Sequence, residues 1–407
     1  MARQERFVVK AVLLLGLTFL SSVVQGAEPN YSLYFDVTKF GAEANGDKNN
    51  AQAFTETWAK ACGSGAPAKV LIPSGTFLTG PVVFSGPCKS AITVEVRGIV
   101  KATTDLKEYA DGDWILFENI DGLLLTGGGT FDGQGAASWK LKDSNPQHSA
   151  TKCDLLPISI KFNHVNNSVV TGINSLNSKG FHILLVFCQN FTASNLNITA
   201  PDESPNTDGI HLSLSSFVNI TNSKIGTGDD CVSIGHGSTD ISVSRITCGP
   251  GHGISVGSLG NKPDEMDVNG ITVFNCTLIN TTNGLRIKTK RGSASLKASR
   301  IFYDNIIMDK VKNPIIIDQN YGAKKNEPSR VKITDVHYKN IKGTSITNVG
   351  VNLNCSSVVP CDGVELVGVD LAFDVGSAKK AEANLPFSSS CANAEAKFEG
   401  KISPPPC

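Results

Sequence analysis

The residues best suited to chemistry lie between positions 206 and 321. Asp229 and Asp230 are adjacent in Gly226-Thr-Gly-Asp-Asp-Cys231. Asp208 lies 22 residues before Asp230, and His252 lies 22 after it. Two cations, Arg286 and Lys288, follow, and then a phenol, Tyr321. Like charges held close cannot all ionise cheaply, so at least one of the three carboxyls should have a raised pKa. A carboxylic acid beside a carboxylate is what glycoside hydrolysis requires: one protonates the leaving oxygen and the other activates water or attacks directly. Arg286 and Lys288 would hold an anionic sugar. Plainer readings exist for each piece. Asp-Asp after Gly is commonly a turn whose carboxylates bond local N–H groups. Arg-Ile-Lys is commonly a solvated strand face, and three aspartates could also build a Ca²⁺ site.

The elements that would position these residues recur. Five segments align: Gly209-Ile-His-Leu-Ser213, Cys231-Val-Ser-Ile-Gly235, Gly253-Ile-Ser-Val-Gly257, Gly284-Leu-Arg-Ile-Lys288 and Pro314-Ile-Ile-Ile-Asp318. Their second and fourth positions are always apolar. The third and fifth are mostly polar or small, which predicts strands with a core face and a solvent face. A second set interleaves with the first, starting at Val169, Phe191, Ile220, Ile241, Ile271, Ile301 and Val331. Both sets repeat every ~20–30 residues, the mark of a solenoid. A propeller would need a longer period and hairpins. The expected fold is therefore all-β, a parallel β-helix with turns stacked ~4.8 Å apart. Asp208, Asp230 and His252 each immediately precede an aligned strand, so they should form a column, with Asp229 at the bend beside it. Asp47–Ala61 reads as one short helix capping the N-terminal end. The tail after about residue 350 should cover the other end.

Composition bounds the partners. The 407 residues are 40% hydrophobic and 18% charged, as expected of a globular chain. Arg3, Arg6 and Lys10 precede the apolar run Ala11–Leu20 and small residues up to Ala27, which predicts a secretory signal over 1–26. That run is too short to span a membrane comfortably. Residues 27–407 are then expected to be a single catalytic domain, monomeric and free of the membrane. The full chain has 37 basic and 37 acidic residues; removing three basic residues and Glu5 leaves 34 against 36, a net of −2. Without a basic field, nucleic acid is not an expected partner. In an oxidising compartment most of the 11 cysteines should pair, and 62/88, 231/248, 355/361 and 391/407 are plausible neighbours. Cys153, Cys188 and Cys276 remain, and the odd total leaves at least one free thiol. Eight Asn-x-Ser/Thr acceptors, from Asn30 to Asn354, fit a glycoprotein.

Four ordered stretches resemble the signature motifs of polygalacturonases, the pectin-cleaving hydrolases of family 28. They are Asn206-Thr-Asp-Gly-Ile210, Gly228-Asp-Asp-Cys231, Gly251-His-Gly-Ile-Ser-Val-Gly-Ser-Leu-Gly260 and Arg286-Ile-Lys288. Asn313–Tyr321 and Phe35–Gly41 resemble plant members as well. The resemblance implies a right-handed parallel β-helix and inverting hydrolysis of α-1,4-galacturonan, outside the cell in the cell wall. It implies Asp229 as general acid, Asp208 and Asp230 as activators of water, and His252 as a residue tuning or orienting the acid. Arg286, Lys288, Tyr321 and Asn206 would bind the substrate. No metal or cofactor is implied. The chain departs from many plant members at Lys290, where an aromatic is usual, and at Gly322, where Cys is usual. Similarity to pollen-type enzymes favours exo action over endo. Loops 261–268 and 290–300 are candidates for closing one end of the substrate path. A Ca²⁺-dependent lyase and a non-catalytic cell-wall β-helix are the competing expectations.

Overall fold

Short alternating segments separated by Gly and Asn can bury an apolar face only by stacking on their own neighbours. The computed structural model describes residues 33–144, 156–322 and 326–407. The expected signal, Asn30 and Cys153 lie outside the described residues. Ser32–Cys407 form one compact unit, in which the strands pair in parallel from turn to turn. One ladder has eleven strands: β1 (Val82–Ser85), β2 (Asp113–Asp121), β3 (Ile158–Asn166), β4 (Ile183–Val186), β5 (Ile210–Ser213), β6 (Val232–Ile234), β7 (Ile254–Leu259), β8 (Asn283–Lys290), β9 (Asn313–Tyr321), β10 (Val349–Asn354) and β11 (Ser388–Ala392). The other has eighteen, from Leu33–Asp36 to Ala394–Ser403. This is the expected parallel β-helix. It is longer than the repeats suggested: the segment after residue 350 continues the coil instead of merely covering its end.

The core runs down the middle as stacked like residues. Phe117 lies flat on Phe162, with ring centroids 5.2 Å apart, and Tyr303 on Tyr338 at 4.9 Å. The aligned strands β5 to β9 pair in the expected register, Ile210 with Val232, Ile254, Leu285 and Ile315 in turn. The second set aligns only in part. Phe191 pairs with Val218, not Ile220, and Ile301 with Val336, not Val331. Ser168, not Val169, faces Phe191. The first of these offsets is two residues, which a period-2 pattern survives; the others are five residues and one.

Asparagine has a structural task here. Asn195, Asn222, Arg245, Asn275, Asn305 and Asn340 occupy one corner of successive turns, all left-handed with φ between 50° and 56°. Asn tolerates that conformation better than most residues. Asn305 Nδ2 also donates to Asn275 Oδ1 at 2.7 Å, and Arg245 Nε to Asn222 Oδ1 at 2.6 Å.

Helix α1 (Ala51–Cys62) begins four residues later than Asp47, because Asn45 Oδ1 accepts from the N–H groups of Asp47 and Lys48 and holds a turn there. Phe54 and Trp58 are buried, and Trp58 packs 5.0 Å from Phe84 on β1. A second helix, α2 (Ala136–Ser144), was not expected. Its Trp139 Nε1 donates to the Lys179 carbonyl at 3.0 Å. The four expected disulfides are present, and Cys188 and Cys276 are free and buried. No residue of β11 or Ala394–Ser403 is fully buried. Among the described residues, no helix is long and apolar enough to cross a membrane.

Candidate active site

The registry of β5, β6 and β7 puts Asp208, Asp230 and His252 at one level on three successive turns, as the spacing predicts. Their side chains nevertheless take different partners. The turn that carries Asp229 approaches its neighbour closely: a Cβ on Gly228 would lie 2.0 Å from the Ser204 carbonyl oxygen, so only glycine fits. Beyond that turn the two aspartates diverge. Asp229 Oδ1 lies 2.9 Å from His252 Nδ1 and accepts the Asp230 N–H at 2.8 Å. The His252 N–H donates to the Asp229 carbonyl at 2.8 Å, fixing the pair at both backbone and side chain. Both side chains reach solvent, with 19% of Asp229 and 38% of His252 exposed.

Asp230 turns away from water. Its Oδ1 accepts from Arg286 Nη2 at 2.6 Å and from Ser255 Oγ at 2.8 Å, and its Oδ2 accepts from Lys288 Nζ at 2.8 Å. Arg286 Nε donates in turn to Ser255 Oγ at 2.9 Å. Burial alone would raise the Asp230 pKa, but Lys288 and Arg286 outweigh it and hold the carboxyl below its ordinary value. Burial would lower the Lys288 pKa, and Asp230 raises it instead. Arg286 and Lys288 were expected on a solvent face. They are 8% and 6% exposed, because each folds over its turn to reach Asp230. Tyr321 closes this cationic side, with its ring centroid 5.1 Å from Lys288 Nζ and 4.5 Å from Lys290 Nζ. Asn206 lies two residues before Asp208, half-buried and left-handed at φ 52°.

Asp208 is the carboxyl with the raised pKa. Burial pushes it up to about 6, helped by Asp229 and Asp230 and opposed by His211. His211 Nδ1 lies 3.2 Å from Asp208 Oδ2. His211 and Ser255 were not singled out beforehand. Both occupy the third position of the aligned strands, where the polar residues had been assigned to solvent. One reading of the aspartates was a Ca²⁺ site. Donor atoms of Asp229, Asp230 and His252 do lie within 4.8 Å of one another. However, both Asp230 oxygens already accept from cations, and an imidazole is a poor ligand for Ca²⁺.

A proton-linked consequence follows. A group whose pKa is raised on folding contributes stability that is lost as pH rises through the folded value. For Asp208 the window runs from its ordinary 3.8 to about 6. Asp208→Asn, which has no proton to lose, should show a flatter dependence of Tm on pH across this window. An unchanged slope would mean that Asp208 titrates normally.

A parallel β-helix with a cation-held carboxylate beside a carboxyl–imidazole pair defines a scaffold for acid–base glycosidic chemistry. Residues 62–394 match the glycosyl hydrolases family 28, and the chain belongs to that family. It is 48% identical to an exopolygalacturonase of Arabidopsis thaliana, over 100% of this chain and 98% of the relative. It is 47% identical to an exopolygalacturonase of Zea mays, over 83% of each. Among solved structures, an endo-xylogalacturonan hydrolase from Aspergillus tubingensis matches with a TM-score of 0.76 at 25% identity, covering 90% of this chain and 100% of that one. An exopolygalacturonase from Thermotoga maritima matches with a TM-score of 0.75 at 19% identity, covering 90% of each chain, a likeness of fold.

Proposed function

We infer that the protein is a polygalacturonase that hydrolyses α-1,4-linked galacturonan, removing galacturonate from chain ends. The observation that carries this reading is the division of labour between adjacent carboxyls. Asp230 is locked as an anion by Arg286 and Lys288, while Asp229 faces solvent against His252. Asp229 acts as the general acid on the leaving oxygen, and His252 orients it. Asp230, with Asp208, draws the proton from the attacking water, and inversion follows if that water attacks directly. Arg286, Lys288 and Tyr321 receive the substrate carboxylate, and Asn206 lies beside the reacting sugar. Exo action is supported by the exopolygalacturonase relatives at 47–48% identity. The protein works outside the cell, in the wall, after losing residues 1–26.

Product analysis of polygalacturonate over time tests this reading. Monomeric galacturonate should appear from the first time point, without a ladder of oligomers. A ladder would make the enzyme endo-acting. Unsaturated products absorbing in the ultraviolet would mean elimination, and binding without release of reducing ends would remove the catalytic reading.

A further inference from the structure

Asp208 sits among forces that favour its protonated form. Its side chain is 7% exposed. Asp229 and Asp230, from the turn before β6, face it with two more carboxyls. The cations nearest the cluster, Arg286 and Lys288 on β8, are already committed to Asp230. From the preceding turn, β4 and its approach offer Leu184, the His182 backbone N–H, which reaches only the Asp208 carbonyl, and Phe181. The His182 imidazole is turned elsewhere, to Ser175 Oγ at 2.8 Å, and burial depresses its pKa to about 3, so it is neutral. The following strand opposes His211 with Ser233. His211, on Asp208's own strand, is therefore the basic side chain bonded to this carboxyl.

The imidazole is held in place. Its ring lies flat on Phe181, with centroids 4.6 Å apart and planes inclined by 6°. Nδ1 faces Asp208 Oδ2, and Nε2 points toward Gly235, where an added Cβ would lie 3.6 Å away. This leaves the ring one orientation in which Nδ1 serves the carboxyl. We propose that His211, clamped by Phe181, is a positioning residue that keeps Asp208 ionised for its part in activating water. The inference rests on the hydrolytic reading above and adds a residue to it. Asp208 can take a proton from water only while it is a carboxylate, so activity must fall as pH drops through its pKa. Hydrogen bonding and an opposite charge favour the charged form of a carboxyl, and losing them lets the pKa climb.

The test compares pH profiles of kcat for the wild type, His211→Ala, His211→Asn and Phe181→Leu. In His211→Ala the acidic limb should move up by about one pH unit or more, the scale on which a neighbouring charge shifts a carboxyl. Activity below the limb then falls about tenfold while the high-pH plateau is largely kept. His211→Asn restores an N–H donor near the Nδ1 position without the charge, so its limb should lie between the two. Phe181→Leu should shift the limb in the same direction by less. A uniform loss at every pH, or an unmoved limb, overturns the proposal and leaves His211 a packing residue. Carboxyl NMR titration of Asp208 in an Asp229→Asn background, with and without His211, reads the same shift without turnover. It therefore separates failure of this inference from failure of the hydrolytic reading, which a wild type releasing no galacturonate would reveal first.

Discussion

Asp229→Asn should lose nearly all turnover while keeping its affinity for galacturonan. The asparagine preserves the size of the side chain and can still accept the Asp230 N–H that now reaches Oδ1 at 2.8 Å. It cannot give a proton to the leaving oxygen. A positioned acid contributes ~10²–10⁴-fold, and a sugar hydroxylate is a poor leaving group without it. Binding is expected to survive because Arg286 and Lys288 are anchored on Asp230, not on Asp229, and Tyr321 packs against those cations. The measurement is kcat on polygalacturonate beside a calorimetric affinity. A variant within tenfold of the wild type would remove Asp229 from the acid role.

The second large effect joins stability to chemistry. Asp230→Ala should abolish activity and also destabilise the fold by ~3–5 kcal/mol, the usual cost of stripping one partner from a buried ion pair. The Asp230 side chain is 1% exposed, and those of Arg286 and Lys288 are 10% and 8% exposed. Removing the carboxylate leaves two cations close together with little water to screen them. Adding Lys288→Met to Asp230→Ala should restore part of the stability, since one orphaned charge goes, and none of the activity. Denaturant unfolding of the three proteins decides the matter. Unchanged stability in Asp230→Ala would mean that the cations find water or other acceptors without cost.

These two residues show what could be read in advance. The site strands were legible because they are short, set off by glycine or turn residues, and keep their second and fourth positions apolar from Ile210 to Ile317. The level shared by Asp208, Asp230 and His252 followed from that alignment. Which side chain meets which did not, because it depends on rotation out of the turn. Asp229, off the column, takes His252, while Asp230, on it, turns inward to β8. His211 was hidden by the assumption that polar third positions face solvent. That assumption failed wherever a neighbour offered an opposite charge or a ring, as Phe181 does. In the long strands of the other ladder the alternation continues past any one register, so Val218 and Ile220 could not be told apart. Helix α2 gave little signal because its nine residues hold two large apolar ones, Trp139 and Leu141, whose spacing of two does not make one helical face.

The two ends of the coil are finished differently. The first turns lie under α1, with Trp58 inserted and Cys62 tied to Cys88. The last two strands, β11 and Ala394–Ser403, have no buried residue and are held by their ladders, by partly buried side chains such as Phe398 and Ile402, and by Cys391–Cys407. In a stack where each turn leans on its neighbours, loosening starts where burial is thinnest. Fraying should therefore proceed from the C-terminal end inward. Strand β8, the last to carry charged site residues into the cluster, lies three rungs from β11. A protease nibbling at that end would meet sacrificial rungs well before it reached the candidate site.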